Sequence, residues 1–316
     1  VLKVKVYESF YKALKSFVAE SETLRIEIVP ELGGKMVSLR NKNTGKEWML
    51  DSGGRPLTPL KYGSVFTDAD MSGWDECFPT IDRCNIGDLA LPDHGEVWSV
   101  PWDVVGSGDG LICSVSGRVF PYTLSRTLKI MGSRSIMLSY EVHNKGGTPL
   151  PFLWTAHPQF NVDEPTRILI PEEMRTLQCV YGGLQHTTGS TYAMANDWDI
   201  GTAVDGDGIK FYYPNPVTAA WSGLYGLQSR DYLLIKTDHE RVPYWGIWID
   251  QGMCNDRTTI ALEPGIGYYD SLKRAVDNGT AVTLQPGERY TWWIQLVLGS
   301  GDWRSDSQEH PIERKP

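Results

Sequence analysis

The sequence has no apolar run approaching the roughly 20 residues that a bilayer-spanning helix needs. Its first segment, Val1 through Ala19, lacks the apolar stretch and small-residue cleavage site of a secretory leader. The chain opens on Val1 rather than Met, which is compatible with a leader trimmed upstream. Positive charge is scarce: 30 Lys and Arg face 39 Asp and Glu, a formal net charge of −9. Such a surface repels phosphate backbones and anionic lipid, so nucleic acid and membranes are not expected partners. Five cysteines, Cys77, Cys84, Cys113, Cys179 and Cys254, make an odd set with no CxxC pair. Neither a disulfide framework nor a zinc cage fits them, and a cytoplasmic protein is expected. No GxGxxG, GxxxxGK[ST] or GxSxG occurs, which removes the usual nucleotide cradles and the serine-hydrolase elbow.

Turn chemistry, by contrast, is abundant. The 32 Gly and 19 Pro are spread evenly and punctuate short alternating runs. Leu24, Ile26 and Ile28 alternate with polar partners before Pro30 and Gly33–Gly34; Leu111, Cys113 and Val115 do the same. Ile136, Leu138, Tyr140 and Val142 alternate up to the turn Asn144 to Gly147. Tyr232–Lys236, Tyr244–Ile249 and Thr291–Leu298 are further strand-like runs, rich in aromatic and β-branched residues. Only Tyr7–Ala19 has helical spacing. The pattern is all-β, a sandwich or barrel, and strand signals continue from Leu24 to Leu298 without a linker-like stretch. One domain spanning residues 1–316 is expected, with residues 301–316 a polar tail that lies on the surface or frays. No repeat of 20–50 residues suggests a propeller or solenoid.

Aromatic residues are plentiful, with 12 Trp and 15 Tyr, and several crowd beside polar groups. Trp74-Asp75-Glu76, Glu96-Val97-Trp98, Trp154 through His157 and Trp245 through Asp250 each combine a flat apolar face with hydrogen-bonding groups. Sugars want that combination, because their C–H faces stack on rings while their hydroxyls need polar partners. The same residues also serve as core filler in large β-sandwiches, so the cluster weighs more than any member. His94 stands between Pro92-Asp93 and Gly95, in a turn. His157 precedes Pro158, which pushes it toward extended backbone at the end of a strand. His143, His186, His239 and His310 lie in polar turns or the tail and carry no functional expectation. Glu263 follows Ile260-Ala261-Leu262 and opens onto a Gly-rich loop. A carboxylate there either hydrogen-bonds that loop or is a base tuned by its surroundings, and spacing does not choose. Asp68, Asp70, Asp75, Glu76 and Asp82 fall close together, yet without the spacing of an EF-hand loop, so no metal is expected.

In chain order, four segments resemble the galactose mutarotase-like superfamily, which contains the aldose 1-epimerases. They are Val29 through Leu39, Cys77-Phe78-Pro79-Thr80 through Leu91-Pro92-Asp93-His94-Gly95, His143 through Phe160, and Leu262-Glu263-Pro264 with Leu284-Gln285-Pro286-Gly287-Glu288 behind it. The likeness covers Leu24 to Leu298. It implies a large antiparallel β-supersandwich with a sugar cleft on one concave face. It also implies Glu263 as the general base on the anomeric hydroxyl, His157 as the acid on the ring oxygen, and His94 as a substrate contact. No metal or organic cofactor is implied, and the partner is a small sugar. Whether the chain is a monomer or a homodimer is left open. Trp98 stands where hexose-6-phosphate members of the superfamily carry an Arg, and Glu96 adds negative charge, which favours an unphosphorylated sugar. Arg83 resembles a substrate-contacting Arg, and Asp250, Trp154 and Trp248 are candidate sugar contacts. Two alternatives stay open: a non-catalytic sugar-binding or sensing protein, or a mutarotase for phosphorylated or acidic sugars with Arg83 or Lys35 lining the cleft. The catalytic account expects Glu263 and His157 on either side of a sugar-sized gap.

Overall fold

Short alternating runs become strands when a sheet face can bury every second side chain, and the computed structural model, which describes residues 2–309, is built almost entirely this way. Two antiparallel sheets stack. The larger runs, edge to edge, through Lys5–Tyr11, Leu14–Glu20, Leu24–Val29, Lys35–Asn41, Trp74–Cys77, Trp154–Pro158, Thr258–Ile266, Tyr244–Gln251, Asp207–Tyr212, Thr176–Tyr181 and Thr191–Ala193. The second runs through Asp199–Ile200, Thr166–Leu169, Trp221–Gly226, Asp231–Thr237, Arg289–Ser300, Ser135–Asn144, Tyr122–Ile130, Gly110–Ser116 and Asp103–Ser107. Their facing sides share one apolar core, to which Ile26, Leu39, Leu128, Leu138, Ile247, Leu262 and Leu296 contribute.

The all-β expectation holds, and the one helical expectation fails. Tyr7–Ala19 is not a helix: strands Lys5–Tyr11 and Leu14–Glu20 form a hairpin with Tyr11 opposite Leu14. Lys12, between them, takes a left-handed φ of 53°, which ends any helix. Pairing of Leu14–Glu20 with Leu24–Val29, which buries Ser16, Val18 and Ala19, outweighs the helical spacing. The described part of the tail, residues 301–309, is mostly unburied and anchored at one point. Arg304–Gln308 is a short helix whose Asp306 is buried, accepting from Arg134 Nη1 at 2.6 Å and from the Tyr232 hydroxyl. Trp303 packs on Trp221 beside it. His310 lies outside the described residues.

Between the sheets sits a buried polar cluster. Arg126 donates to Glu76 at 2.9 Å and to the Gly34 carbonyl, while Tyr140 and Trp154 donate to Glu76 at 2.9 and 2.8 Å. Burial pushes the Glu76 carboxyl up, against Arg126 and these hydrogen bonds, which pull it down. A buried pair is worth little as a unit, but removing one partner strands the other. Arg126→Met is therefore expected to cost about 3–5 kcal/mol in urea unfolding, and Arg126→Met with Glu76→Leu to recover most of it. A loss below about 1 kcal/mol for the single variant contradicts this account of the cluster.

Candidate active site

Strand alternation decides which side chains meet on the outer face of the larger sheet. In Thr258–Ile266, Ile260, Leu262 and Ile266 enter the core, which turns Ala261 and Glu263 the other way. In Asp207–Tyr212, Ile209 and Phe211 enter the core, turning Lys210 and Tyr212 outward to the same face. These two strands flank Tyr244–Gln251, so Glu263 and Lys210 belong to strands about 10 Å apart across the sheet. The residue opposite both Glu263 and Tyr212 is Gly246. A Cβ there would come within 2.8 Å of the Tyr212 ring. The Lys210 ammonium stands 2.9 Å from Glu263 Oε2 and 2.7 Å from Asp270 Oδ1. The Tyr212 hydroxyl donates to the same Asp270 oxygen at 2.7 Å.

His157 arrives on this face by the same rule. In Trp154–Pro158, Trp154 and Ala156 enter the core, so His157 points out. Its Nε2 stands 3.5 Å from Glu263 Oε1. Thr259 donates to Gln159 Oε1 at 2.8 Å, which turns the Gln159 amide nitrogen toward His157 Nδ1 at 3.4 Å. With Nδ1 accepting, a neutral imidazole carries its proton on Nε2, the nitrogen on the Glu263 side. Burial, then the charges of His94 and Lys210, hold the His157 pKa well below the usual 6.5. Burial also pushes Glu263 above the ordinary carboxyl value, with Lys210 opposing. For Lys210, burial alone would lower the pKa; Asp270 and Glu263 outweigh it and hold the ammonium well above its usual range.

His94 closes the other side. Its backbone takes a left-handed φ of 55° and Gly95 follows at 80°, where a Cβ would lie 2.2 Å from the Phe78 carbonyl oxygen. The turn thus needs glycine at 95. The His94 ring stacks on Phe66 at 4.0 Å and meets His157 edge-on at 5.5 Å. Asp93 faces His94 Nδ1 at 3.0 Å and accepts from the Phe66 N–H at 2.7 Å. Burial raises the Asp93 pKa, yet these two hydrogen bonds and the His94 charge outweigh it and keep it below the usual carboxylate range. An ionised Asp93 holds a proton on Nδ1 and leaves Nε2 as the ring nitrogen without that partner.

These groups border a cavity of about 250 Å³. Its wall carries His94, His157, Lys210, Asp270 and Asp82, and an apolar side that includes Phe66, Met71 and Met253. Trp248 and Tyr181 line it as well, and the buried Trp248 Nε1 has no hydrogen-bond partner among the described residues. Glu263 is 1% exposed and lies just behind His157 and Lys210 rather than on the wall. Neither of its oxygens meets a well-aligned hydrogen-bond donor among the described residues, so its lone pairs are held by charge alone.

Of the residues singled out in the sequence, His94, His157 and Trp248 line the cavity, with Glu263 touching two of its wall residues. The expected sugar-sized gap between Glu263 and His157 is absent, because their atoms are in direct contact. Trp154 is sealed between the sheets, its N–H spent on Glu76. Asp250 is also sealed and accepts the backbone N–H groups of Gly252, Met253, Cys254 and Asn255; it shapes the loop whose Met253 and Cys254 reach the cavity. Arg83 is exposed and off the cavity wall, and Lys35 is buried against Asp75 at 2.7 Å. Glu96 adds no charge there: Tyr62, Tyr122 and the Arg118 and Val119 N–H groups all donate to it. Trp98 is buried and donates to the Asp93 carbonyl at 2.8 Å, bracing the His94 turn. The five close-set carboxylates disperse: Asp75 pairs with Lys35, Glu76 with Arg126, Asp70 with Arg55, Asp82 goes to the cavity, and Asp68 is exposed. The sequence analysis missed Lys210 and Asp270. The available signal was a lone lysine inside the apolar, aromatic run Ile209-Lys210-Phe211-Tyr212.

A family model described as aldose 1-epimerase matches residues 21–297. No curated protein matches. Among solved structures, the Slr1438 protein from Synechocystis superposes with a TM-score of 0.70 at 15% identity, covering 94% of this chain and 96% of that one. A galactose mutarotase-like protein from Lactobacillus casei gives 0.67 at 17% identity over 90% of this chain and 100% of its own. Another so described, from Clostridium acetobutylicum, gives 0.68 at 16% identity over 95% and 99%. At these identities the structures establish the shared fold.

The depressed pKa of His157 has a consequence for stability. Below about pH 6.5 the unfolded histidine binds a proton that the folded one refuses, so stability present above that pH is lost as pH falls. Between pH 7.5 and 5.5, wild type should lose urea-unfolding stability more steeply than His157→Gln, by at most about 1.4 kcal/mol per pH unit. Parallel curves contradict the assignment.

Proposed function

Because the chain belongs to the aldose 1-epimerase family, we propose that it interconverts the α and β anomers of a free, unphosphorylated aldose by general acid–base ring opening. The observation that carries this is the Glu263–His157 contact at 3.5 Å behind a cavity of about 250 Å³. The anomeric and ring oxygens of an aldopyranose hang from one carbon. Groups that exchange protons with both must therefore be close neighbours, not facing walls. Glu263 bridges two cavity-wall nitrogens from behind, one oxygen beside His157 Nε2 and the other beside Lys210 Nζ.

The proton of the anomeric hydroxyl passes to Glu263 as C1–O1 becomes a carbonyl. The bond from C1 to the ring oxygen breaks, its electron pair stays on that oxygen, and His157 Nε2 gives it a proton. The Glu263–His157 contact returns a proton from the carboxyl to the imidazole, so no charged imidazole persists. Rotation about C1–C2 and closure by the reverse steps deliver the other anomer. A histidine kept neutral by burial suits such a relay. His94 Nε2 hydrogen-bonds a substrate hydroxyl, and the Trp248 ring offers a stacking face.

Charge on the wall supports a neutral substrate. The Lys210 ammonium is offset by Glu263 and Asp270, Asp82 adds a further carboxylate, and Arg83 and Lys35 are elsewhere. An anionic sugar would meet net negative charge without a free cationic fork.

One observation favours a second reading, sugar binding without turnover: Glu263 takes no part in the cavity wall. Polarimetry and calorimetry on D-glucose, D-galactose, D-xylose and L-arabinose separate the two. The epimerase reading expects accelerated mutarotation of at least one sugar, reduced about 100-fold or more in Glu263→Gln and His157→Asn with folding intact. Sugar binding with exchange no faster than buffer selects the binding protein instead.

A further inference from the structure

Lys210 is where this site departs from a simple acid–base pair. An ammonium has three donors and no acceptor. It stands between two carboxylates, 2.9 Å from Glu263 Oε2 and 2.7 Å from Asp270 Oδ1. Lys210 also lines the cavity, which puts its N–H donors within reach of an occupant. The side chain has little freedom to turn elsewhere. Its ammonium lies over the Tyr212 ring at 5.3 Å, and Tyr212 itself is tied to Asp270. Asp270 is in turn fixed by its backbone, whose carbonyl accepts from the N–H groups of Ile81 and Asp82.

We infer that Lys210 contacts the substrate, donating an N–H to the anomeric oxygen of a neutral aldose and steadying the charge that builds there as Glu263 removes the proton. The inference rests on the epimerase reading above and deepens it. A donor fixed before the reaction stabilises developing negative charge without reorganising. The flanking carboxylates keep Lys210 charged, so it acts as a donor and not as a proton source. They also consume its net charge, which is why a cation at the centre of the site does not make it a receptor for acidic sugars. The same nitrogen reports the state of Glu263. Removing it leaves a buried carboxylate with no cation beside it, which takes up a proton more readily and disables the base.

The test uses the full chain and whichever of the four sugars it turns over fastest. Lys210→Met should lower kcat about 100-fold, with a smaller change in KM, and move the acidic limb of the pH–rate profile upward. In Lys210→Ala, ethylammonium should restore part of the rate, whereas tetramethylammonium, which has no N–H, should not. If these variants misfold, wild type alone still decides: by calorimetry it should bind the 1,5-anhydro analogue, which lacks the anomeric oxygen, at least tenfold more weakly than the parent sugar. Wild-type exchange that survives Lys210→Met within threefold with an unmoved pH profile overturns this inference and leaves the epimerase reading standing. So does equal rescue by both amines, or equal affinity for the 1,5-anhydro analogue and the parent sugar. Absence of exchange by wild type with every sugar overturns both.

Discussion

A carboxylate enclosed by protein must either give up its charge or find a cation, and in this fold Glu263 finds one two strands away. The two groups reach toward each other across the intervening strand. On that strand Gly246 stands opposite both Glu263 and Tyr212, and the Tyr212 ring already fills the space a Cβ would need. Most of the site follows from this crossing. Lys210 is drawn toward Glu263 and Asp270, His157 meets the other oxygen of the same carboxylate, and the cavity forms in front of the three nitrogens of His94, His157 and Lys210. The rest of the polar interior is handled separately. Glu76 and Arg126, on the opposite face of the sheet, satisfy one another without reaching the cavity.

Alternation and turn residues were enough to read the architecture, because a half-buried strand advertises its inward face every second residue. Ile136 through Val142 and Tyr232 through Lys236 lie within strands of the second sheet as expected. The failure at Tyr7–Ala19 has a local cause: a two-residue hairpin turn, held by pairing to Leu24–Val29, leaves a pattern that a helix could also fit. The same alternation explains the mixed outcome for the aromatic residues. Trp154 and His157 are three apart in one strand and therefore face opposite sides, one in the core and the other at the cavity. Trp248 and Asp250 share a face, yet Asp250 is consumed by the backbone of the loop that follows it. Burial of an acid does not reveal from sequence whether its partner is a ligand or a turn.

Lys210 and Asp270 were not legible for a different reason. Their place in the site comes from pairing between residues distant in the chain, across the sheet and next to the loop after Ile266. A lysine inside an aromatic strand marks an anomaly without naming what resolves it. The outcome changes the electrostatics attributed to the site. Sequence resemblance supplied an acid–base pair; the fold adds a cation whose charge is already offset, so the cavity gains a fixed donor without becoming a trap for anions.

The central claim is that Glu263 and His157 work as one proton-exchanging unit rather than as two independent groups. A double-mutant cycle on anomer exchange tests that unit directly, using His157→Asn, Glu263→Gln and the two together. If one relay serves both oxygens, the double variant is no slower than the slower single variant. Losses that multiply would mean that the two side chains act separately, and the shared carboxylate would lose its place in the account.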